Sequence, residues 1–229
     1  SQEYAEKPAF ISFGKALIDR EIGMAARAVA GYLQSQGFRK GDRIAIMMPN
    51  VMAYPAVMFG CLIGGFTVVN VNPLYTVREL THQINDSGAE AIFVLENFAN
   101  VVAEALPHTN LKKVVIATAG DLLGFKGKIV SFVAKYIKKV VPAYALPQAV
   151  MLPDAMRAGA SAGMKAVEIT LDDLAFLQYT GGTTGVSKGA ALTHRNVSAN
   201  VAQSEAWLGW AIKPIPDNVM VTALPLYHI

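Results

Sequence analysis

RIAIMMPNVMAYPAVMFGCLIGGFTVVNV, Arg43 to Val71, carries no charge after its first residue. Taken as one piece it is a membrane span; taken as three it is a buried strand, helix and strand. A spanning helix needs about 20 predominantly apolar residues in one run. Pro49, Asn50, Pro55, Gly64, Gly65 and Asn70 interrupt this one, and Asn72 and Pro73 follow. The breaks leave two short apolar strands, RIAIMM and TVVNV, around a buried helix, PNVMAYPAVMFGCLIGG.

The same alternation continues on both sides. Arg20 to Gln36 reads as a helix, with Ile22, Ala25, Ala26, Val29 and Leu33 on one face, Asp19 as cap and Gly37 at the end. TVRELTHQINDSG is amphipathic through Val77, Leu80 and Ile84, with Gly88 past its end. AIFVL is a strand, NFANVVAEAL a helix capped by Asn97, and KKVVIAT another strand. Short apolar strands separated by helices predict an α/β fold, a parallel sheet flanked by helices. Residues 119–170, with scattered Gly, Pro and Lys and no strong strand, read as an excursion from that sheet. The domain reading is a first sheet subdomain over 1–170 and the start of a second over 171–229. In the second, LAFLQYT and GAALT are partner strands. HRNVSANVAQSEAWLGW is a helix capped by Thr193, and VMVTAL a last strand.

Of 229 residues, 53% are hydrophobic and 16% charged, a globular composition rather than a disordered one. A net charge of +3 gives no ground for a nucleic-acid partner. Cys61 is the sole cysteine, which excludes an internal disulfide and suits a reducing, cytoplasmic setting. The start, SQEYAEKPAF, has neither the basic nor the apolar region of a secretory signal and no initiator Met. The other end stops on Ile229 within an apolar run, so the chain reads as a fragment of a longer protein.

YTGGTTGVSKGAALTHRN, Tyr179 to Asn196, carries the chemistry. From Thr180 to Ala191 it holds four glycines, four hydroxyl side chains and one lysine. Glycines let backbone N–H groups converge into an anion nest. Thr180, Thr183, Thr184 and Ser187 add donors, and Lys188 adds the counter-charge, a set suited to a polyphosphate. The order Lys188-Gly189 and the strand-like GAAL after it exclude a P-loop of the strand–GxxxxGK[ST]–helix kind. The spacing also differs from the kinase glycine loop. The pattern fits a hairpin closing over phosphates.

TGGTTGVSKG, residues 180–189, resembles the phosphate loop of the acyl-adenylate-forming ligases, Ser/Thr-Ser/Gly-Gly-Ser/Thr-Thr-Gly-x-Pro-Lys-Gly, at every position but one. Ser187 stands where that loop has proline, which predicts a looser approach to Lys188. KGDRIAIMMPN, VNVNPLYTVRELTHQINDSGAEAIFV, LAFLQYTGGTTGVSKGAALTHRN and TALPLYHI resemble the bacterial long-chain fatty acid–CoA ligase branch. FGKALIDREI departs from it, lacking a threonine-aromatic pair.

The resemblance implies part of the large N-terminal domain of such a ligase and a two-step reaction. ATP and a long-chain fatty acid give an acyl adenylate and pyrophosphate; coenzyme A then gives acyl-CoA and AMP. It implies ATP binding by Tyr179, Thr180, Gly181, Gly182, Thr183, Thr184, Gly185, Ser187, Lys188 and Gly189, with Thr180 also touching Mg2+. His228, in PLYHI, falls beside the carboxylate and adenylate, so His228 and Lys188 are the expected catalytic pair. The acidic Mg2+ residue, the ribose aspartate, the hinge and the C-terminal domain with its lysine are expected downstream of Ile229. The fragment alone is therefore expected to be inactive, with exposed apolar surface that aggregates or pairs with another chain, a homodimer included. Another adenylating ligase, for aryl or amino acids, and a non-catalytic nucleotide- or acyl-binding module remain open. His82, His108 and His194 show no metal-ligand spacing and read as structural or exposed.

In Lys126–Val141, Ile129, Phe132, Val133, Tyr136, Ile137 and Val140 share a helical face and Lys128, Lys135, Lys138 and Lys139 the other. Such a stripe either packs on the core with solvated lysines outside or lies peripherally on an anionic membrane, here its inner face. The core packing is the first expectation.

Overall fold

The computed structural model describes residues 5–180, 187–212 and 219–228. After a hairpin of β1 (Pro8–Ser12) and β2 (Lys15–Ile18), α1 (Asp19–Ser35) leads into the sheet. β3 (Arg43–Met47), α2 (Ala53–Ile63), β4 (Thr67–Asn70), α3 (Val77–Ser87), β5 (Ala91–Leu95), α4 (Ala99–Ala105) and β6 (Lys113–Ala117) alternate as expected. Then come α5 (Phe125–Phe132), β7 (Val150–Met151), α6 (Leu152–Ala162), β8 (Leu174–Thr180), β9 (Lys188–Thr193) and α7 (His194–Ile212).

Seven strands form one sheet in the order β7-β6-β5-β3-β4-β8-β9. Every pair is parallel except β8–β9. Successive side chains point to opposite faces, and both faces are buried. Ile44, Ile46, Val68, Phe93 and Val115 pack with Val29, Leu33, Tyr54, Val57 and Leu152 of α1, α2 and α6. Ala45, Met47, Val69, Ile92, Val94 and Ile116 pack with Leu80, Ile84 and Val102 of α3 and α4. Full coverage explains why the strands are apolar without alternation. β8 and β9, which follow the expected division at 170/171, lie in this same sheet, β8 beside β4 and β9 beside β8.

α3 has a reciprocal cap, Thr76 Oγ1 accepting the Glu79 N–H and the Glu79 carboxylate accepting the Thr76 N–H. Gly88 closes it at φ 65, a conformation that costs glycine little. Two expected caps take other roles. α1 begins at Asp19 itself, and the Glu21 carboxylate accepts the Ile18 N–H. Asn97 sits in a 3-10 turn before α4 and donates to the Val140 carbonyl. Thr193 does cap α7, its hydroxyl accepting the Asn196 N–H. The excursion carries β7 and α6, and α6 packs against α1, a role that its Gly- and Ala-rich composition hid.

The helix through 126–141 differs from the first expectation. Gly127 is buried with its Cα against Gly120, and Ser131 donates to the Thr118 hydroxyl. Lys135 reaches inward to Glu96 at 2.6 Å, where the Glu96 side chain is 7% exposed. The inner side thus carries Gly127, Ser131 and Lys135, with Val130 packed on the cluster of Leu17, Ile22, Met52 and Leu123. Phe125, Ile129, Phe132, Tyr136 and Ile137 face outward, 53–79% exposed. The backbone approach at Gly127 leaves most of the apolar stripe outside, together with Lys128, Lys138 and Lys139. Val219 to Leu224 forms no strand, since no neighbouring strand among the described residues offers it ladder partners.

Candidate functional site

In open parallel sheets, ligands bind outside the carboxyl ends of the strands. β8 ends at Thr180, and the candidate loop joins it to β9. Gly181, Gly182, Thr183, Thr184 and Gly185 lie outside the described residues. Their flanks are described. Thr180 faces Lys188 across the ladder, and Tyr179 faces Gly189. Thr180 and Lys188 are both exposed at the loop mouth. Gly189 must be small, because a Cβ there would lie 2.8 Å from the Tyr179 ring. Ser187 Oγ donates to the Thr180 carbonyl at 2.8 Å. That bond ties the two stems together where a proline would have stiffened one of them.

Helix α3 braces the same stems. The Tyr179 hydroxyl donates to Asp86, and burial, reinforced by that carboxylate, pushes the Tyr179 pKa well above the usual phenol value. His82, one turn before Asp86, places Nε2 3.5 Å from the Ser187 carbonyl. Neither Asp86 nor His82 was read as part of the site. Their i,i+4 spacing on one face of α3 was the available signal.

The third component is the segment ending at His228. Asn50, just past β3, donates to the Thr222 and Leu224 carbonyls at 3.1 and 2.9 Å and accepts the Leu226 N–H at 2.7 Å. The Tyr54 hydroxyl lies 2.8 Å from both the Leu226 carbonyl and Asn70 Oδ1. Asn70 Nδ2 donates to Gln178 Oε1, and Gln178 Nε2 donates to the Tyr227 carbonyl, both at 3.1 Å. Gln83 completes the set by donating to the Asn70 carbonyl at 2.8 Å. His228 itself is exposed, its ring 4.8 Å from that of Tyr227. The fold therefore brings the 222–228 segment onto β8, two residues ahead of Thr180. The sequence reading missed Asn50, Tyr54, Asn70 and Gln178; polar residues at the ends of otherwise apolar strands were the clue.

Thr180 is exposed at the end of β8. A hydroxyl shared with phosphate oxygens is an ordinary Mg2+ environment, since that ion keeps waters and phosphate ligands. Among the described residues no group of three or more His, Cys, Asp or Glu is placed to hold a metal. No described helix is long and apolar enough to cross a membrane.

The glycine- and hydroxyl-rich segment between β8 and β9 lies at the carboxyl edge of a doubly covered parallel sheet, where folds of this class bind their ligands. The chain belongs to the AMP-binding enzyme family, which matches it over residues 1–229. It is 50% identical over 228 residues to the long-chain-fatty-acid–CoA ligase of Salmonella typhimurium, covering 99% of this chain and 40% of that protein. It therefore spans about 40% of that relative's length. ATP-bound MatB from Rhodopseudomonas palustris superposes with a TM-score of 0.70 at 26% identity, over 97% of this chain and 39% of that one. A long-chain-fatty-acid-CoA ligase from Archaeoglobus fulgidus shares the fold with a TM-score of 0.69 at 24% identity, over 97% of this chain and 38% of that one.

Proposed function

We propose that this chain is the N-terminal part of an ATP-dependent long-chain fatty acid–CoA ligase. The observation that carries the reading is the hairpin that sets Lys188 opposite Thr180 at the carboxyl edge of the sheet. The likeness to the Salmonella enzyme supports the acyl substrate. A carboxylate oxygen attacks the α-phosphorus of ATP and pyrophosphate leaves. The coenzyme A thiol then attacks the acyl carbonyl, and AMP leaves. A carboxylate is a weak nucleophile, so the protein contributes position and charge stabilisation. Lys188, the hydroxyls of Thr180, Thr183 and Thr184, and the loop N–H groups hold the β- and γ-phosphates. Ser187 keeps the loop stem closed, and His228 lies beside the carboxylate. Mg2+, bound at Thr180 and the phosphates, would offset the charge of the leaving group.

In the longer protein we place a subdomain division near residue 170, and the 229-residue chain alone is expected to make no acyl-CoA. The test is ATP–pyrophosphate exchange by the full-length protein with palmitate, an aryl acid and a set of amino acids. Exchange with palmitate is the expected result. Exchange with another acid only would keep adenylation and replace the substrate; none with any acid would overturn the reaction.

We also propose that the protein is cytoplasmic and rests peripherally on an anionic membrane through α5 and the turn after it. The outward Phe125, Ile129, Phe132, Tyr136 and Ile137, flanked by exposed Lys126, Lys128, Lys138 and Lys139, support this. Aromatic and aliphatic groups enter the headgroup boundary while lysines meet anionic lipid. Full-length protein should co-sediment with phosphatidylglycerol vesicles and much less with phosphatidylcholine. Ile129→Glu with Phe132→Glu should cut binding about tenfold or more, since each removes an inserted apolar group. Undiminished binding by the double variant would remove this face from the contact.

A further inference from the structure

The segment 219–228 has no strand partner among the described residues, yet backbone groups of Thr222, Leu224, Leu226 and Tyr227 are bonded. Side chains take the place of a ladder. Asn50 holds the Thr222 and Leu224 carbonyls and the Leu226 N–H, Tyr54 meets the Leu226 carbonyl, and Gln178 donates to the Tyr227 carbonyl. Every one of these side chains comes from the carboxyl edge of the sheet: the end of β3, the start of α2 and the end of β8. Asn70 and Gln178 are register neighbours on β4 and β8.

Buried amides are costly unless they are bonded. Asn70 and Gln178 are 3% and 6% exposed, in strands where apolar residues would pack at no such cost. What their bonds achieve is a link between two particular backbones. Gln178 directly precedes Tyr179 and the phosphate loop; Tyr227 directly precedes His228. One side chain thus spans from the strand that bears the phosphate site to the segment that bears the histidine.

We propose that Asn50, Tyr54, Asn70 and Gln178 are positioning residues that lock the His228 segment to the phosphate-loop strand, so that carboxylate and ATP are held in one frame. This rests on the adenylating function proposed above. None of the four touches the reacting atoms; they act through Tyr227 and His228. Misplacement by about 1 Å can cost a catalytic step roughly a hundredfold. The loss should appear in turnover, because the phosphate donors around Lys188 are untouched.

The experiment uses the full-length protein with Asn50→Asp, Asn50→Ala and Gln178→Met. Asn50 is exposed, so its variants fold whatever becomes of the buried Gln178. Asn50→Asp keeps the acceptor for the Leu226 N–H and loses both donors; Asn50→Ala loses all three bonds. Palmitate-dependent pyrophosphate exchange should fall in kcat by about tenfold or more, more for alanine than for aspartate, with KM for ATP within about twofold. Amide hydrogen exchange in peptides covering 219–228 should rise about tenfold, with β3 and β5 unchanged. An unchanged kcat, or a KM for ATP rising as steeply as kcat falls, would overturn the positioning role. If the unaltered protein exchanges pyrophosphate with no acid, the functional reading fails and hydrogen exchange decides alone. Acceleration confined to 219–228 then supports the lock, and none refutes it.

Discussion

Replacing Lys188 with alanine in the full-length protein is expected to lower palmitate-dependent ATP–pyrophosphate exchange by about 10²–10³-fold, the usual scale for losing one preorganised charge-stabilising group. Lys188 opens β9 directly across from Thr180, at the mouth of the loop. Its side chain is exposed, so the change removes charge and little packing. Folding stability should therefore move by no more than about 0.5 kcal/mol, as for other surface substitutions. Arginine should restore part of the activity, since it returns the charge with a different geometry. The measurement is exchange kinetics beside a urea melt of the same sample. Activity retained in a stably folded Lys188→Ala protein would take the lysine out of phosphate binding.

The largest effect on stability is expected at Gly159, in α6. A Cβ there would sit 1.8 Å from the Ala28 carbonyl oxygen and 2.5 Å from the Tyr32 nitrogen of α1. On the other side of the crossing, a Cβ on Gly31 would sit 2.6 Å from the Gly159 carbonyl oxygen. These obstacles are backbone atoms, so the helices themselves must separate. Separation also lifts Leu152 and Ala155 off the core they share with Val29 and Leu33. Gly159→Ala should cost about 3 kcal/mol, the upper part of the overpacking range. Gly23→Ala provides the contrast. It lies in α1 as well, but its Cβ would meet only the Arg27 side chain at 3.4 Å. With no backbone in the way, alanine's helix preference should stabilise the protein by about 0.5–1 kcal/mol. Urea unfolding of both variants checks the pair. A neutral Gly159→Ala would mean that α1 and α6 do not cross this closely.

The alternation of strands and helices was readable because a strand covered on both faces has a distinctive composition. RIAIMM, TVVNV and AIFVL are apolar at consecutive positions, and each became a central strand. Local chemistry was equally readable where partners are near in sequence, as at Gly88 past the end of α3 and at Thr193, which caps α7. Misreadings arose where a polar side chain had a distant competitor. Asn97 has the right chemistry for a cap, but the Val140 carbonyl takes its amide.

By itself, the sequence determined the alternation of strands and helices from β3 to β6, the parallel sheet, and the paired strands β8 and β9. Those depend on local propensity and short-range spacing, which the chain carries in its own order. Tertiary structure alone decided which face of 126–141 looks outward, because periodicity distinguishes two faces and only the contact at Gly127 selects one. It alone placed α6 on α1, where Gly159 meets the α1 backbone. It alone joined Asn50 to Leu226 and Gln178 to Tyr227, bonds between residues far apart in the chain. An amide side chain in a sequence shows that a partner is needed; only the folded chain supplies which one.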